Sequence, residues 1–348
     1  MRFYLFIFLL NTLYFSQSVT LYGLVTNQES GESLIGANVF VEGTNYGAYT
    51  DKNGFFSITL DDYGVSETLI IQYLGFDSIK QEILLSDSDS KIKLDYELKQ
   101  SSLELVEVKV SGEKETRQTV HSYSSIKVTQ NQFAALPSLA EADIFRTLQS
   151  LPGVLQASEF STGLIIRGGN TDQNLILLDG ITVYNPSHLG GLFSNFIVEG
   201  IKEANLTKGG FNAEYGGRLS AVLDVISREG NRKKVNFKTD VSILSTQATL
   251  EGPFYNGAWL LSGRRTYFDK IFENNENIPP YYFYDIQGHI FTDISDKDRI
   301  SISIYEGLDD FEYGPIAIKG DWGNVTRSFK YRRLFNEKLI GNFLIAKS

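Results

Sequence analysis

Four glycine pairs, Gly168-Gly169, Gly190-Gly191, Gly209-Gly210 and Gly216-Gly217, crowd into the stretch Leu164–Gly217. Short apolar runs such as Leu175–Leu178 and Ala221–Ile226 lie among and just beyond them. Glycine supplies the positive-φ conformations and close backbone approaches that tight turns need. The spacing therefore predicts a compact, strongly twisted domain of short strands. Arg167 and Arg218 are embedded in it, which predicts polar surroundings on more than one side. Such a domain suits a wet cavity better than an apolar core.

The same region carries L-P-G-V at Leu151–Val154, I-R-G-G at Ile166–Gly169, L-L-D-G at Leu177–Gly180 and A-E-Y-G-G-R-L-S at Ala213–Ser220. Together and in this order they resemble the plug of TonB-dependent outer-membrane receptors. The resemblance implies a plug over residues 120–230, with Arg167, Gly168, Gly169, Asp179, Gly180, Tyr215, Gly216, Gly217 and Arg218 as structural positions. Buried charge without a partner is costly, so Arg167 and Arg218 are expected to pair with carboxylates of the plug or of a surrounding wall. Tyr184-Asn185-Pro186-Ser187-His188 reads as an apical turn. Tyr184, Asn185 and His188 are candidate ligand contacts, and His188 is also a candidate for local hydrogen bonding.

Arg2 followed by the apolar run Phe3–Leu10 and the small residues Ser16-Gln17-Ser18 reads as a secretory signal peptide over residues 1–18. The run is too short to span a bilayer comfortably and Asn11 interrupts it. From about Thr20 to Leu98 the chain alternates. Ala37, Val39 and Val41, then Phe56, Ile58 and Leu60, then Ile92, Leu94, Tyr96 and Leu98 sit two apart with polar residues mostly between. Period two with frequent turn residues predicts a β-sandwich over 19–99, and Asp51-Lys52-Asn53-Gly54 a hairpin turn. The segment from Gly36 to Ile58 resembles the carboxypeptidase-regulatory-like domain, of transthyretin/Ig-like build, that precedes the plug in receptors of the Bacteroidetes type.

A polar linker over 100–119 holds one extended apolar-alternating segment, Glu104, Leu105, Val106, Glu107, Val108, Lys109 and Val110. Such a segment can add as a strand to a partner's sheet. Its place and pattern resemble a TonB box, the alternative being a last strand of the sandwich. A helix is expected from Ser138, with Ser138 and Glu141 as a capping box and an apolar stripe of Ala140, Ile144, Leu148 and Leu151, ended by Pro152-Gly153.

From about Lys233 alternation returns with one apolar and one polar face. Strands are expected near Lys234–Ile243, Thr246–Pro253, Ala258–Tyr267, Tyr281–Ile294, Arg299–Asp309, Asn324–Leu334 and Lys338–Ala346. Periodicity alone does not separate a soluble sandwich from a membrane barrel. The connections do, because Tyr255–Gly257, Ser295–Asp298 and Phe335–Glu337 are short while Phe268–Pro280 and Asp310–Gly323 are long, with Leu244–Ser245 as an exception. Short turns on one side and long loops on the other mark an outer-membrane barrel. The resemblance implies a barrel of roughly 22 strands, which about seven cannot close, so residues 231–348 are expected to be the start of an incomplete transmembrane antiparallel β-barrel. The expected fold class is mainly β: sandwich, α+β plug and first barrel strands.

The net charge of −10 argues against nucleic acid as a partner. There is no cysteine, and His121, His188 and His289 sit in no zinc pattern. No nucleophile elbow or phosphate loop appears, so no enzymatic activity and no cofactor or metal is expected. The resemblance implies energised uptake of a scarce nutrient (siderophore, cobalamin, glycan or peptide) across the outer membrane. The implied partners are the TonB-ExbB-ExbD complex, outer-membrane lipid, a small nutrient ligand and a candidate surface lipoprotein, with the N-terminal domain and linker in the periplasm. The alternative is a secreted or surface β-rich binding protein without transport activity.

Overall fold

The computed structural model describes residues 18–86, 90–101, 125–135, 141–158, 161–273, 275, 280–313 and 318–348. Residues 1–17 of the expected signal peptide, the Glu104–Val110 segment and Ser138 lie outside them. Among the described residues strand makes up 57% and helix 7%, which places the chain in the expected mainly-β class. Two compact units form, and each is taken by itself.

The first unit holds β1 (Val19–Asn27), β2 (Asn38–Val41), β3 (Gly47–Tyr49), β4 (Phe55–Leu60), β5 (Ser66–Gln72), β6 (Ile79–Leu84), β7 (Lys91–Lys93) and β8 (Tyr96–Leu98). One sheet runs β4-β1-β7 with β8 also on β1, and the other runs β3-β2-β5-β6. The predicted period-two positions Val39, Val41, Phe56, Ile58, Leu60, Tyr96 and Leu98 all fall in the core, with Leu21, Leu69 and Ile71. The last expected strand is broken in two at Leu94-Asp95. There the Asp95 carboxylate accepts from the Leu24 amide at 3.0 Å, and a Cβ on Gly23 would collide with the Leu94 carbonyl. Asp51 builds the expected turn by accepting from the amides of Asn53 and Phe55 at 2.8 and 2.9 Å.

The second unit begins with β9 (Ser125–Thr129), α1 (Gln130–Ala135) and α2 (Ile144–Gln149). The hairpin β10 (Val154–Gln156) and β11 (Leu164–Ile166) follows, then β12 (Asn174–Leu178), β13 (Ile181–Thr182), β14 (Ser187–His188), β15 (Phe193–Ser194), β16 (Ile201–Thr207) and β17 (Ala221–Ser227). Five of these form a sheet in the order β13-β12-β17-β16-β9. Its central strand β17 is buried along nearly its whole length. The helix expected from Ser138 starts later. Asp143 caps it, accepting from the Arg146 amide at 3.1 Å. Glu141 is no capping-box member, because its carboxylate is engaged by Arg264 and Ser245 instead.

A seven-stranded antiparallel meander completes the unit: β18 (Asn236–Val241), β19 (Ser245–Phe254), β20 (Gly257–Thr266), β21 (Tyr281–Asp293), β22 (Asp298–Tyr313), β23 (Ile318–Asn336) and β24 (Leu339–Lys347). All seven expected strands are present. A short helix, α3 (Phe268–Ile271), sits in the long connection after β20. The expected loop Asp310–Gly323 is mostly strand, since pairing runs on from Asp310↔Asp321 to Tyr313↔Ile318.

Register fixes what each face presents, because directly paired residues share a face. Phe237, Leu250, Leu261, Gly288 and Ile304 form one row across five strands, and Trp259, Ile290, Ile302, Phe329 and Ile345 another. Their apolar side chains include many of the exposed large hydrophobics, such as Phe237, Leu261, Ile302, Ile304 and Phe329. The opposite face carries Thr249, Ser262, Gln287, Tyr305 and Thr326 in one row, and Gln247, Arg264, Asp285, Gly307 and Asn324 in the next. Most of these are buried, and what covers them is the five-stranded domain.

Candidate functional site

A buried polar joint connects the five-stranded domain to the polar face of the wall. It is built by β14 and β15, a hairpin whose loop passes through Leu189 in a left-handed conformation (φ 48°). Such a backbone costs a β-carbon residue on the order of 1–3 kcal/mol. The Leu189 amide holds it there by donating to Asp309 Oδ1 at 3.0 Å and to the Tyr281 hydroxyl at 2.9 Å.

His188, at the tip, is fully buried. Its Nδ1 lies 2.7 Å from Asp309 Oδ2 and its Nε2 2.9 Å from Asp285 Oδ1. The ring stacks on Phe283 with centroids 4.1 Å apart and planes 6° from parallel. Tyr305 donates its hydroxyl to Asp285 Oδ1 at 3.0 Å, and Tyr281 donates to Asp309. Gly307 leaves room for this, since a Cβ there would lie 2.7 Å from the Asp285 carboxylate. Burial lowers the His188 pKa, but the Asp285 charge and the hydrogen bonds to Asp285 and Asp309 outweigh it, so the net shift is upward.

Arg264 ties the joint together. Its Nε and Nη2 reach Asp285 Oδ2 at 2.9 and 2.5 Å, Nη1 reaches Glu141 at 2.5 Å, and Nη2 donates to the Ser194 carbonyl at 2.6 Å. Ser245 donates to the other Glu141 oxygen at 2.7 Å. With His188 protonated, two cations face three carboxylates in a dry setting where such pairs interact strongly.

A second cluster lies at the other end of the wall, beside the short turns. Asp293 accepts from Arg232 at 2.5 Å and from Arg299 at 2.6 Å, and Arg299 also reaches Glu229 at 2.9 Å. Both guanidinium groups lie over the Phe291 ring. This fastens the segment joining the domain to β18.

The predicted structural residues converge as turns. Arg167 (φ 50°) with Gly168, and Asp179 (φ 54°) with Gly180, make two successive left-handed pairs, the backbone that tight hairpin turns demand. Gly169 is required by packing, because a Cβ would sit 2.5 Å from Ser220 Oγ, which donates to the Ile166 carbonyl at 2.6 Å. So I-R-G-G and R-L-S meet in space. Asp179 accepts from the Ser227 amide at 2.9 Å. The Tyr215 amide closes a turn on the Asn212 carbonyl at 3.1 Å, and Gly217 adopts φ 77° beside Gly216.

Two expectations are corrected. Arg167 and Arg218 are exposed, and among the described residues neither pairs with a carboxylate; Arg218 donates to the Gly217 carbonyl at 3.0 Å. The charges that fasten the domain are instead Arg264, His188 and the carboxylates around them. His188 is not an apical ligand contact, since both ring nitrogens are engaged and no surface is left. Tyr184 is exposed. Asn185 is tied to Asn324 and Asn195 through its backbone.

Residues 21–110 match the family model of the CarboxypepD_reg-like domain, and residues 115–222 that of the TonB-dependent Receptor Plug Domain. The chain is 26% identical over 254 residues to TonB-dependent receptor P3 of Formosa agariphila, covering 69% of this chain and 23% of that protein. It is 25% identical over 249 residues to TonB-dependent receptor SusC of Bacteroides thetaiotaomicron, covering 67% and 24%. The chain thus spans about a quarter of the length of the curated relatives it matches. Among solved structures, the siderophore receptor PirA from Acinetobacter baumannii aligns with TM-score 0.44 at 18% identity, over 61% of this chain and 38% of that one. PirA from Pseudomonas aeruginosa aligns with TM-score 0.47 at 15% identity, over 64% and 40%.

Proposed function

We propose that this chain, which belongs to the TonB-dependent receptors of the Bacteroidetes type, supplies the periplasmic domain, the plug and the first wall strands of an outer-membrane importer for a scarce nutrient. The single observation that carries this is the two-faced wall. Its apolar rows point away from the plug and its polar rows hold it. In a bilayer the first face meets acyl chains and the second lines a lumen. Neighbouring wall strands pair along the meander, and in lipid the outer edges of β18 and β24, which pair with no strand among the described residues, need further strands to close the wall.

In this reading the plug occludes the lumen, and ligand reaches it from the side of the long connection after β20. Tyr184, exposed on that apical turn, is offered to ligand. Energy enters from the periplasm, where the extended segment Glu104–Val110 adds as a strand to a protein of the TonB-ExbB-ExbD complex. Main-chain hydrogen bonds across such an added strand can bear a pull. The cargo class stays general: siderophore, cobalamin, glycan or peptide. Residues 1–18 are the signal peptide that directs export, and a surface lipoprotein is a candidate partner.

The experiment is Val108→Pro in a receptor containing this chain. Proline removes a ladder donor. Uptake is expected to fall to background while the amount of folded receptor in the outer membrane is unchanged. Uptake at the wild-type rate would refute the segment's role.

A further inference from the structure

The carboxylates that the His188 ring faces have no hydrogen to donate to it. A carboxylate only accepts, and a neutral imidazole has one donor and one acceptor nitrogen. With Asp309 Oδ2 at 2.7 Å from Nδ1 and Asp285 Oδ1 at 2.9 Å from Nε2, a neutral ring would set one lone pair against an anion. The remaining carboxylate valences are already taken by donors. Asp309 Oδ1 accepts from Leu189 and Tyr281, Asp285 Oδ1 from Tyr305, and Asp285 Oδ2 from Arg264. Around the ring, β20 contributes Arg264, β21 contributes Tyr281 and Asp285, and β22 contributes Tyr305 and Asp309. Glu141 stands behind Arg264. Without a proton on His188 the cluster holds three carboxylates against one guanidinium.

We propose that His188 is a protonation-dependent fastener: as an imidazolium it clamps the β14–β15 hairpin between Asp285 and Asp309 of the wall, and loss of its proton releases that hairpin. The inference rests on the uptake reading for its consequence, a plug whose apical hold weakens as pH rises. The ring chemistry stands apart from transport. The strained Leu189 adds to the effect, since its left-handed backbone is held by the same Asp309 and is free to relax once the clamp opens. The second cluster, around Asp293, is held by Arg232 and Arg299, which keep their charge throughout and keep the linker end fastened, although the His289 ring stands 6.1 Å from that of Phe291. Release is therefore local to the apical joint.

The sign follows from the raised value. A group that binds its proton more tightly in the closed state than in the open one stabilises closure fully below its ordinary pKa of 6.5. That contribution is lost as pH rises through the closed-state value.

The test uses the whole chain in detergent micelles with 15N-labelled histidine. Its three histidines are His121, His188 and His289, and His188→Gln assigns the resonance. Both ring nitrogens of His188 are expected to stay protonated to a higher pH than those of an ordinary histidine. As pH rises from the ordinary histidine value to the closed-state titration point, amide protection of Leu189 and Leu192, corrected for intrinsic exchange, should fall by up to about tenfold per pH unit in the wild type and level off beyond it. It should be low and flat in His188→Gln, and Asp309→Asn should move the titration downward. A ring that loses its proton at or below the pH of an ordinary histidine, or protection with the same pH profile in His188→Gln, overturns the proposal. The ring measurement on the wild type decides even where a variant fails to fold. A wall that does not face lipid would sink the uptake reading and leave this result untouched.

Discussion

Arg264 and Arg265 are neighbours on β20 that point to opposite faces of the wall, and their substitution by Met separates a buried joint from a surface pair. Arg264 has 2% of its side chain accessible and gives four hydrogen bonds to Asp285, Glu141 and the Ser194 carbonyl. Methionine conserves much of the stem and removes every donor. Glu141 then loses its cation and Asp285 keeps only His188, and deleting one partner of a buried pair costs about 3–5 kcal/mol. Arg265 pairs with Asp269 at 2.8 Å but is 45% accessible, and lies 4.4 Å from the Tyr282 ring centroid. Solvent screening brings such a contact down to about 1 kcal/mol or less. The assay is urea unfolding of the detergent-solubilised chain, read by the fluorescence of Trp259 and Trp322, both on wall strands. Arg264→Met should lower the unfolding free energy by at least about 2 kcal/mol more than Arg265→Met. Equal losses would refute the claim that this face is dry and buried against the plug.

Gly169→Ala should destabilise the plug by about 1–3 kcal/mol, because the new methyl meets Ser220 Oγ; Ser220→Ala in the same chain should recover part of this in thermal unfolding. Tyr96→Phe should leave the sandwich as stable or up to about 1 kcal/mol more stable at neutral pH, since its hydroxyl is buried with no partner among the described residues. Burial pushes that hydroxyl up to about 12, so the wild-type sandwich loses stability as pH rises from 10 towards that value, and urea unfolding of the variant should show a smaller loss.

The strand pattern was legible because a two-faced sheet writes its faces into the sequence. Ile300, Ile302 and Ile304 alternate with Ser301 and Ser303, and no other arrangement keeps isoleucine off the polar side. The sandwich core was legible for the same reason at Val39, Val41, Phe56 and Ile58. The plug turns were legible through glycine at Gly168 and Gly180, where positive φ leaves few alternatives. The joint was not. Arg264, Asp285 and Asp309 lie on three different strands, and only register brings them to His188. A signal was present, since all three occupy inward positions of strands whose other inward residues, apart from His289 and the Asp293 and Arg299 of the second cluster, carry no ionised group at neutral pH. Arg167 and Arg218 drew attention by their glycine neighbours, but glycine marks turns, and turns lie at the surface. The capping box failed because Glu141 has a stronger partner in Arg264 than any helix amide. The expected loop after Asp310 failed because charged and glycine-rich sequence continues as strand once its neighbour is already in register.

The chain has no cysteine, so single cysteines can be placed at will along β22 and tagged with a fluorophore in reconstituted bilayers. Labels at Ile302 and Ile304, which are exposed, should be quenched strongly by lipids carrying bromine or nitroxide on their acyl chains. Labels at Ser301 and Ser303, one residue away, should be little affected. Quenching that ignores this alternation, or a label at Ile302 shielded from lipid by a second protein layer, would contradict the two-faced wall and the importer built on it.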